Sequence, residues 1–430
     1  MFKKKNVLIL IALLAVCACE KDDTSQSTVS VLAESLEEKA TFLNRDPLQW
    51  NNSELEFLDE IADKQIIGLG EATHGTKEFF NAKHRIFKYL VKEHDYKAIA
   101  FEADWGESLL INRAVVNGDA SQIESLMKDR MLFWIWKTQE IKNLLVWMCE
   151  YNKGKADDEK IHYLGIDCQS NVYNTQILKE YLTSTNFPQL DSAKEVLDRA
   201  KQATKDKFSS YNTETFEAYL HELSGLKNEM DASRTHLIEQ SSLSDFKLQY
   251  HTLTVIEQVS KQIFYDSNDR DNYMAKNVKW INHFFENGKT SVWAHNAHIA
   301  NRWDGVGLMG YYLKQNFGNE YGNVGFLFTT GSFRARGIEG ENYTDPIVHR
   351  ISAKPKENSL NSICYQVDEP AYFFNFKNLL KNNNKWSDYS SILQIGASYS
   401  KDKNYYSSYN GDFMDYFIYF NSTRPSELLQ

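Results

Sequence analysis

Glu71 and His74 stand three residues apart in the stretch Gly68-Leu-Gly-Glu-Ala-Thr-His-Gly-Thr-Lys-Glu-Phe-Phe80. A second group, His295 and His298, closes the stretch Ser291-Val-Trp-Ala-His-Asn-Ala-His298. Acidic residues recur in Phe101-Glu-Ala-Asp-Trp-Gly-Glu107, which holds Glu102 and Asp104, and at Asp167. A histidine beside a carboxylate is the minimal general base: the carboxylate fixes the tautomer, and the ring takes a proton from water. A second histidine can donate to a developing oxyanion or to a leaving group. The same set, Glu71, His74, Glu102, His295 and His298, has donors suited to a divalent ion, and metal-assisted hydrolysis stays open beside metal-free hydrolysis.

Other catalytic patterns are missing or misplaced. There is no G-x-S-x-G, so a serine nucleophile elbow is not expected. His221-Glu222 has no second histidine at the spacing a zinc helix needs. Gly305-Val-Gly-Leu-Met-Gly310 fits G-x-G-x-x-G in form, but it follows Asn-Arg-Trp-Asp rather than a strand. It reads as a turn entering a helix over 311–316.

The positioning elements follow from hydrophobic period and breakers. Apolar runs predict strands at 66–70, 98–101, 161–166, 291–294 and 324–329. Amphipathic spacing predicts helices at 31–43, 79–93, 108–117, 140–152 and 269–287. Each strand from 66 to 294 ends in ionisable residues, and open α/β sheets place their chemistry at such ends. Residues 174–265 contain one proline and one glycine and read as long helices inserted between core strands. The expected fold is therefore α/β: a central largely parallel or mixed β-sheet flanked by helices, with a helical insertion subdomain. The catalytic core is divided into 31–173 and 266–430 around the insertion.

With 430 residues and 42% hydrophobic content the chain can bury a large core. A net charge of -10 with no basic run beyond the extreme N-terminus disfavours nucleic acid as a partner. Aromatics reach 13%, and Trp105 is among those placed to line a cleft for a bulky apolar ligand. Lys3-Lys-Lys5, the short apolar run 7–16 and Cys17-Ala-Cys19 read as a lipoprotein signal over 1–18. Cys19 is the expected lipid acceptor and Cys17 the alternative, with 19–30 as a flexible tether. An ordinary cleaved signal remains the simpler alternative. A lipid-anchored protein of the cell envelope, at the outer membrane, is the expected location. Cys149, Cys168 and Cys364 form no disulfide framework and no paired metal spacing.

Gly70-Glu-Ala-Thr-His-Gly-Thr-Lys-Glu-Phe-Phe80, Lys83-His-Arg85 and Phe101-Glu-Ala-Asp-Trp-Gly106 together resemble the erythromycin esterase family. Gly165-Ile-Asp-Cys-Gln169, Arg270-Asp-x-x-Met-Ala-x-Asn277, Trp293-Ala-His-Asn-Ala-His298 and Met309-Gly310 follow in that family's order. The likeness covers roughly 40–335; Cys168 stands where an apolar residue such as Met is usual. It implies a hydrolase that opens the lactone of 14-membered macrolides, a resistance function, with water activated by histidine and no cofactor. Carried over motif by motif, it implies His74 as general base, Glu71 and Glu102 as its carboxylate partners, and His295 as helper at the carbonyl or leaving oxygen. His298, Lys83, Arg85, Asp104 and Trp105 are the expected substrate-side residues, and the macrolide is the expected partner. A binding lipoprotein that does not turn its ligand over is the alternative on the same scaffold.

Overall fold

A computed structural model describes residues 27–302, 307–409 and 411–430. Cys17, Cys19 and the rest of the signal, together with Gly305 and Val306 of the glycine-rich turn, lie outside the described residues. Twelve strands occur among the described residues: β1 (Thr41–Phe42), β2 (Ile66–Leu69), β3 (Ala98–Asp104), β4 (His162–Asp167), β5 (Thr290–Trp293), β6 (Tyr321–Glu339), β7 (Asn342–Ile351), β8 (Ala371–Phe374), β9 (Ser391–Leu393), β10 (Ser398–Tyr399), β11 (Tyr406–Ser408) and β12 (Tyr416–Thr423). The main sheet has the order β1-β8-β12-β6-β2-β5-β3-β4, with β7 and β10 added along β6. From β12 to β4 every pairing is parallel, while β1, β8 and β7 pair antiparallel. The protein is thus α/β with a mixed sheet.

The parallel strands are apolar on both faces, as strands covered on both sides must be. Alternate residues go to opposite layers. Ile67, Leu69, Ile99 and Phe101 join the layer beneath helices Lys77–His94 and Gln139–Asn152. Ile66, Ala98, Ala100, Leu164 and Ile166 join the layer beneath helices Arg270–Phe284 and Met309–Phe317. Residues 172–265 form five helices, Val172–Ser184, Leu190–Lys205, Thr213–Ala232, Arg234–Glu239 and Leu243–Tyr265. They share a core of their own around Leu197, Phe216, Leu223, Met230 and Ile256.

Three local expectations are corrected. The first helix spans Thr28–Glu37, not 31–43: Ser27 caps its start by accepting from the Ser30 amide, and Thr41–Phe42 pairs with β8 instead. The start at Thr28 also shortens the expected tether. β3 continues past Phe101 to Asp104, through a register shift, and Trp105 begins a helix with no loop between. β6 is 19 residues long, because after Thr330 it bends at Gly331 and pairs with β7 as a hairpin. A Cβ at Gly331 would lie 2.3 Å from the Thr423 amide nitrogen.

The chain's last segment returns to the middle of the sheet. β12 is inserted between β8 and β6. Beyond it the backbone lies along the loop after β2: the Lys77 amide donates to the Arg424 carbonyl, and the Ser426 amide to the Gly75 carbonyl.

Candidate active site

The loop between β2 and helix Lys77–His94 is held on every side. Gly70 is required by close approach, since a Cβ there would lie 2.0 Å from Asn296 Oδ1. That side-chain amide closes on one residue of β6, accepting from the Phe326 amide (3.0 Å) and donating to the Phe326 carbonyl (2.8 Å). The Asn296 amide also donates to the Glu71 carbonyl at 2.9 Å. Gly75 faces the Arg334 carbonyl, 2.1 Å from where a Cβ would sit. The His74 amide donates to the Gly396 carbonyl at 3.2 Å.

Within this frame Glu71 is fully buried and accepts three donors. His74 donates from Nδ1 to Oε1 at 2.6 Å, Trp293 donates from Nε1 to Oε2 at 2.9 Å, and the Lys83 ammonium donates to Oε2. A carboxylate only accepts, so the His74 proton sits on Nδ1 and the lone pair is left on Nε2. Lys83 is wholly enclosed and lies 4.2 Å from the Trp293 ring centroid. Burial pulls its pKa from 10.5 down to about 8 against the attraction of Glu71. It therefore stands behind the carboxylate, not on the substrate side.

His295 lies one residue beyond the end of β5 and caps the short helix Asn296–Ile299. Its ring centroid is 5.2 Å from that of His74, tilted by 52°. Nδ1 accepts from the Ala297 amide at 3.3 Å, and Nε2 is buried with no hydrogen-bond partner. Burial, then the neighbouring His74 and His298, hold its pKa well below the usual histidine range, with Glu102 and the Ala72 carbonyl pulling the other way. A neutral ring whose Nδ1 accepts carries its proton on Nε2. The two facing histidines thus present opposite tautomers, an open lone pair and an open N–H.

Behind His295 lies a charge network. Glu102 Oε2 accepts from the His295 amide at 3.0 Å, and Oε1 accepts from Arg270 Nη2 at 2.8 Å and pairs with His298 Nε2 at 3.2 Å, a nitrogen that Arg270 Nη1 also approaches at 3.3 Å. Burial would raise the Glu102 carboxyl, but His298 and Arg270 overcome it and hold it well below the usual range. Arg270 also grips Asp167 with two bonds, 2.9 and 2.7 Å. His298 donates from Nδ1 to Asp271 Oδ1 at 2.6 Å. Burial opposes its charge, yet Glu102 and Asp271 raise its pKa to about 10, so it is an imidazolium at neutral pH.

Of the residues singled out in the sequence, Glu71, His74, Lys83, Glu102, His295 and His298 meet in this one place. Three others are spent elsewhere. Arg85 donates to the Trp50 carbonyl, since two residues along a helix turn it away from Lys83. Trp105 is fully buried, donates to Thr252 Oγ1 at 2.9 Å and packs edge-on to His251 and Trp280. Asp104 is fully buried and accepts from the Ser170 amide at 2.9 Å; burial, then Glu107 and Asp167, raise its carboxyl well above the usual range. Arg270, Asp271, Trp293 and Asn296 belong to the site, and the sequence shows them only as members of motifs, with no role assigned. For Arg270 a second signal is charge balance: Glu71, Glu102 and Asp167 at buried strand ends demand cations, and Arg270-Asp271 opens the helix that leads to β5.

Among the described residues no grouping of three or more His, Cys, Asp and Glu side chains has the arrangement to hold a metal ion. Next to the Asp167 end of the network, a cavity of about 580 Å³ opens between Gln169 and Ser170 and the inserted helices, at Lys201, Thr204 and Gln262.

Comparison with known proteins gives concordant matches. A family model described as erythromycin esterase matches residues 91–423. That span contains Glu102, Arg270, Asp271, His295 and His298; Glu71 and His74 precede it. The chain is 26% identical over 312 residues to erythromycin esterase type II of Escherichia coli, covering 63% of this chain and 70% of that protein. It is 26% identical over 371 residues to the putative hydrolase YbfO of Bacillus subtilis (strain 168), covering 76% and 77%. A solved mutant of the erythromycin esterase EreC, in its open conformation, shares the fold with a TM-score of 0.65 at 17% identity, over 91% of this chain and 99% of that one.

Proposed function

The chain belongs to the erythromycin esterase family, an esterase-type hydrolase by that membership, and from this premise we propose that it opens the lactone of 14-membered macrolides with water activated by His74. The observation that carries the reading is the pair of opposed tautomers 5.2 Å apart. His74 Nε2 takes a proton as water oxygen attacks the lactone carbonyl carbon. The charge that develops on the carbonyl oxygen is met by the His295 Nε2–H, a buried donor with no partner in hydrogen-bond geometry. Collapse breaks the carbon–oxygen ester bond, and His74 returns its proton to the departing alkoxide. Glu71 keeps the imidazolium of the intermediate oriented and compensated, with Lys83 fixing the carboxylate from behind. No serine or cysteine nucleophile is needed; Cys149, Cys168 and Cys364 are buried free thiols.

Incubation with erythromycin, read by mass spectrometry, tests the substrate. The expected product is heavier by one water. An unchanged macrolide, with a folded protein that hydrolyses simpler esters, would overturn the macrolide assignment while leaving the esterase in place. Activity that vanishes with chelator and returns with a divalent ion would favour the metal-assisted route. The envelope location is part of the same proposal: lipidation of Cys19 would place the enzyme where an incoming macrolide meets it before the ribosome. Fractionation of a Cys19→Ala variant should find the protein released from membranes, and a variant that stays bound counts against that acceptor.

A further inference from the structure

His298 and the start of helix Met309–Phe317 converge on one oxygen. Asp271 Oδ1 accepts from His298 Nδ1 at 2.6 Å and from the Met309 amide at 2.8 Å. Asp271 is 8% exposed and lies one residue beyond Arg270, the cation that grips Glu102 and Asp167. One dipeptide at the head of helix Arg270–Phe284 therefore touches both partners of the second histidine group: Arg270 holds Glu102, and Asp271 holds His298.

We propose that Asp271 is a positioning residue for ester hydrolysis: it fixes His298 as a doubly protonated cation against Glu102 and pins the first turn of helix Met309–Phe317 to the catalytic cluster. The inference rests on the hydrolase reading of the His74–His295 pair.

The argument is geometric and electrostatic. Each ring nitrogen of His298 faces a carboxylate oxygen, Asp271 on one side and Glu102 on the other at 3.2 Å. Asp271 requires a proton on Nδ1, and the two carboxylates together favour one on Nε2 as well. Arg270 Nη1 lies 3.3 Å from His298 Nε2 and opposes this charge, and so does His295 on the short helix that carries both rings. Glu102 exerts the larger pull but is shared with Arg270 and with the His295 amide, whereas Asp271 pairs with no charged group but His298 among the described residues. A fixed charge on His298 then keeps His295 neutral, because two neighbouring imidazoliums repel. A neutral His295 is what the oxyanion requires: an Nε2–H donor that keeps its proton throughout. The same oxygen of Asp271 satisfies an otherwise orphan amide at a helix start, which ties that helix to the charged ring.

Two substitutions separate the roles. Asp271→Asn keeps an oxygen for the Met309 amide and removes the charge; Asp271→Ala removes both. Histidine titration followed by NMR reads His298 without any substrate. The expected wild-type ring stays charged up to about pH 10. In Asp271→Asn its midpoint should fall by about one pH unit or more. For macrolide or simple-ester hydrolysis, kcat should fall roughly 10–100-fold with KM nearly unchanged, and the alkaline limb of the pH profile should move down with the His298 midpoint. Hydrogen exchange in residues 309–312 should stay near wild type in Asp271→Asn and accelerate in Asp271→Ala. A His298 that is neutral at pH 7 in the wild-type protein, or an Asp271→Asn enzyme with wild-type kcat and pH profile, overturns the proposal. So does a loss of activity that only tracks the loss of folded protein. If the wild-type chain hydrolyses no ester, the hydrolase reading fails, and the NMR titration still decides what Asp271 does to His298. If Asp271→Asn does not fold, the same titration on Asp271→Ser decides: a midpoint and kcat unchanged from wild type overturn the positioning role.

Discussion

The two histidines of the site are held in opposite ways. His74 belongs to a local device: Glu71 is three residues away, and Lys83 lies in the helix that follows the same loop. One acid and one cation serve one ring. His295 depends on a distributed device: Glu102 from β3, Asp167 from β4, and Arg270 and Asp271 from the helix before β5, with His298 between them. Here one guanidinium serves two acids. The local device leaves its histidine a free lone pair; the distributed one keeps its histidine neutral with a free proton. The contrast teaches that a proton acceptor needs one well-placed carboxylate, whereas a neutral donor in a charged cleft needs the surrounding charges to be fixed as a group.

The sharpest test of this contrast is kinetic. His74→Ala should cost about 10²–10⁴ in kcat with the fold retained. His295→Ala should cost about 10²–10³, the range for one lost oxyanion donor. If the rings serve one step, the double variant should cost less than the product of the two losses. A fully multiplicative double variant, measured in the same ester assay, would break the pairing.

Next come the two cations, compared by urea unfolding. Lys83→Met leaves Glu71 buried with only His74 and Trp293 as donors, and Arg270→Met strips a cation from two acids at once. Each should destabilise by about 3–5 kcal/mol, with Arg270→Met the larger. Equal costs would mean that the network is no more interdependent than the dyad.

The smallest effect lies outside both devices, at Glu107 in the helix after β3. It is fully buried, accepts from the Leu132 amide at 2.6 Å and leaves Oε1 unpaired. Burial pushes its pKa from 4.5 up to about 8. Between those values the folded protein keeps a proton that the unfolded chain has released. This contribution is therefore fully present below about pH 4.5 and is lost as pH rises through about 8. Glu107→Gln, neutral at every pH, should flatten the decline of stability over that window. An unchanged slope in unfolding curves collected from pH 5 to 9 would show that Glu107 is ionised in the folded state.

The local device could be read in the sequence because its parts lie within thirteen residues: an apolar strand, a glycine-rich turn and an amphipathic helix. The parallel strands were legible for the same reason, as short apolar runs ending in charge. The distributed device was not. Glu102 and His295 are visible as polar residues at strand ends, but Arg270 and Asp271 belong to a motif without a role until the sheet order brings β3, β4 and β5 side by side. Trp105 misled for a physical reason: a tryptophan between two acids suggests a cleft, yet the strand runs straight into the helix and turns the ring into the seam with helix Leu243–Tyr265. The C-terminal third was least readable, since β6 pairs with four different strands and its length reflects those partners more than its own composition.

The central seat of β12 has a consequence for how the protein is made. The strand that completes the sheet between β8 and β6 leaves the ribosome after both of them, and the backbone just after it braces the loop that carries His74. Until β12 emerges the nascent chain must therefore carry β6 and β8 as open, strongly apolar edges. Such edges invite pairing with other chains and suit a holding chaperone. The loop that carries His74 therefore gains its full bracing only once β12 and the segment after it have been made.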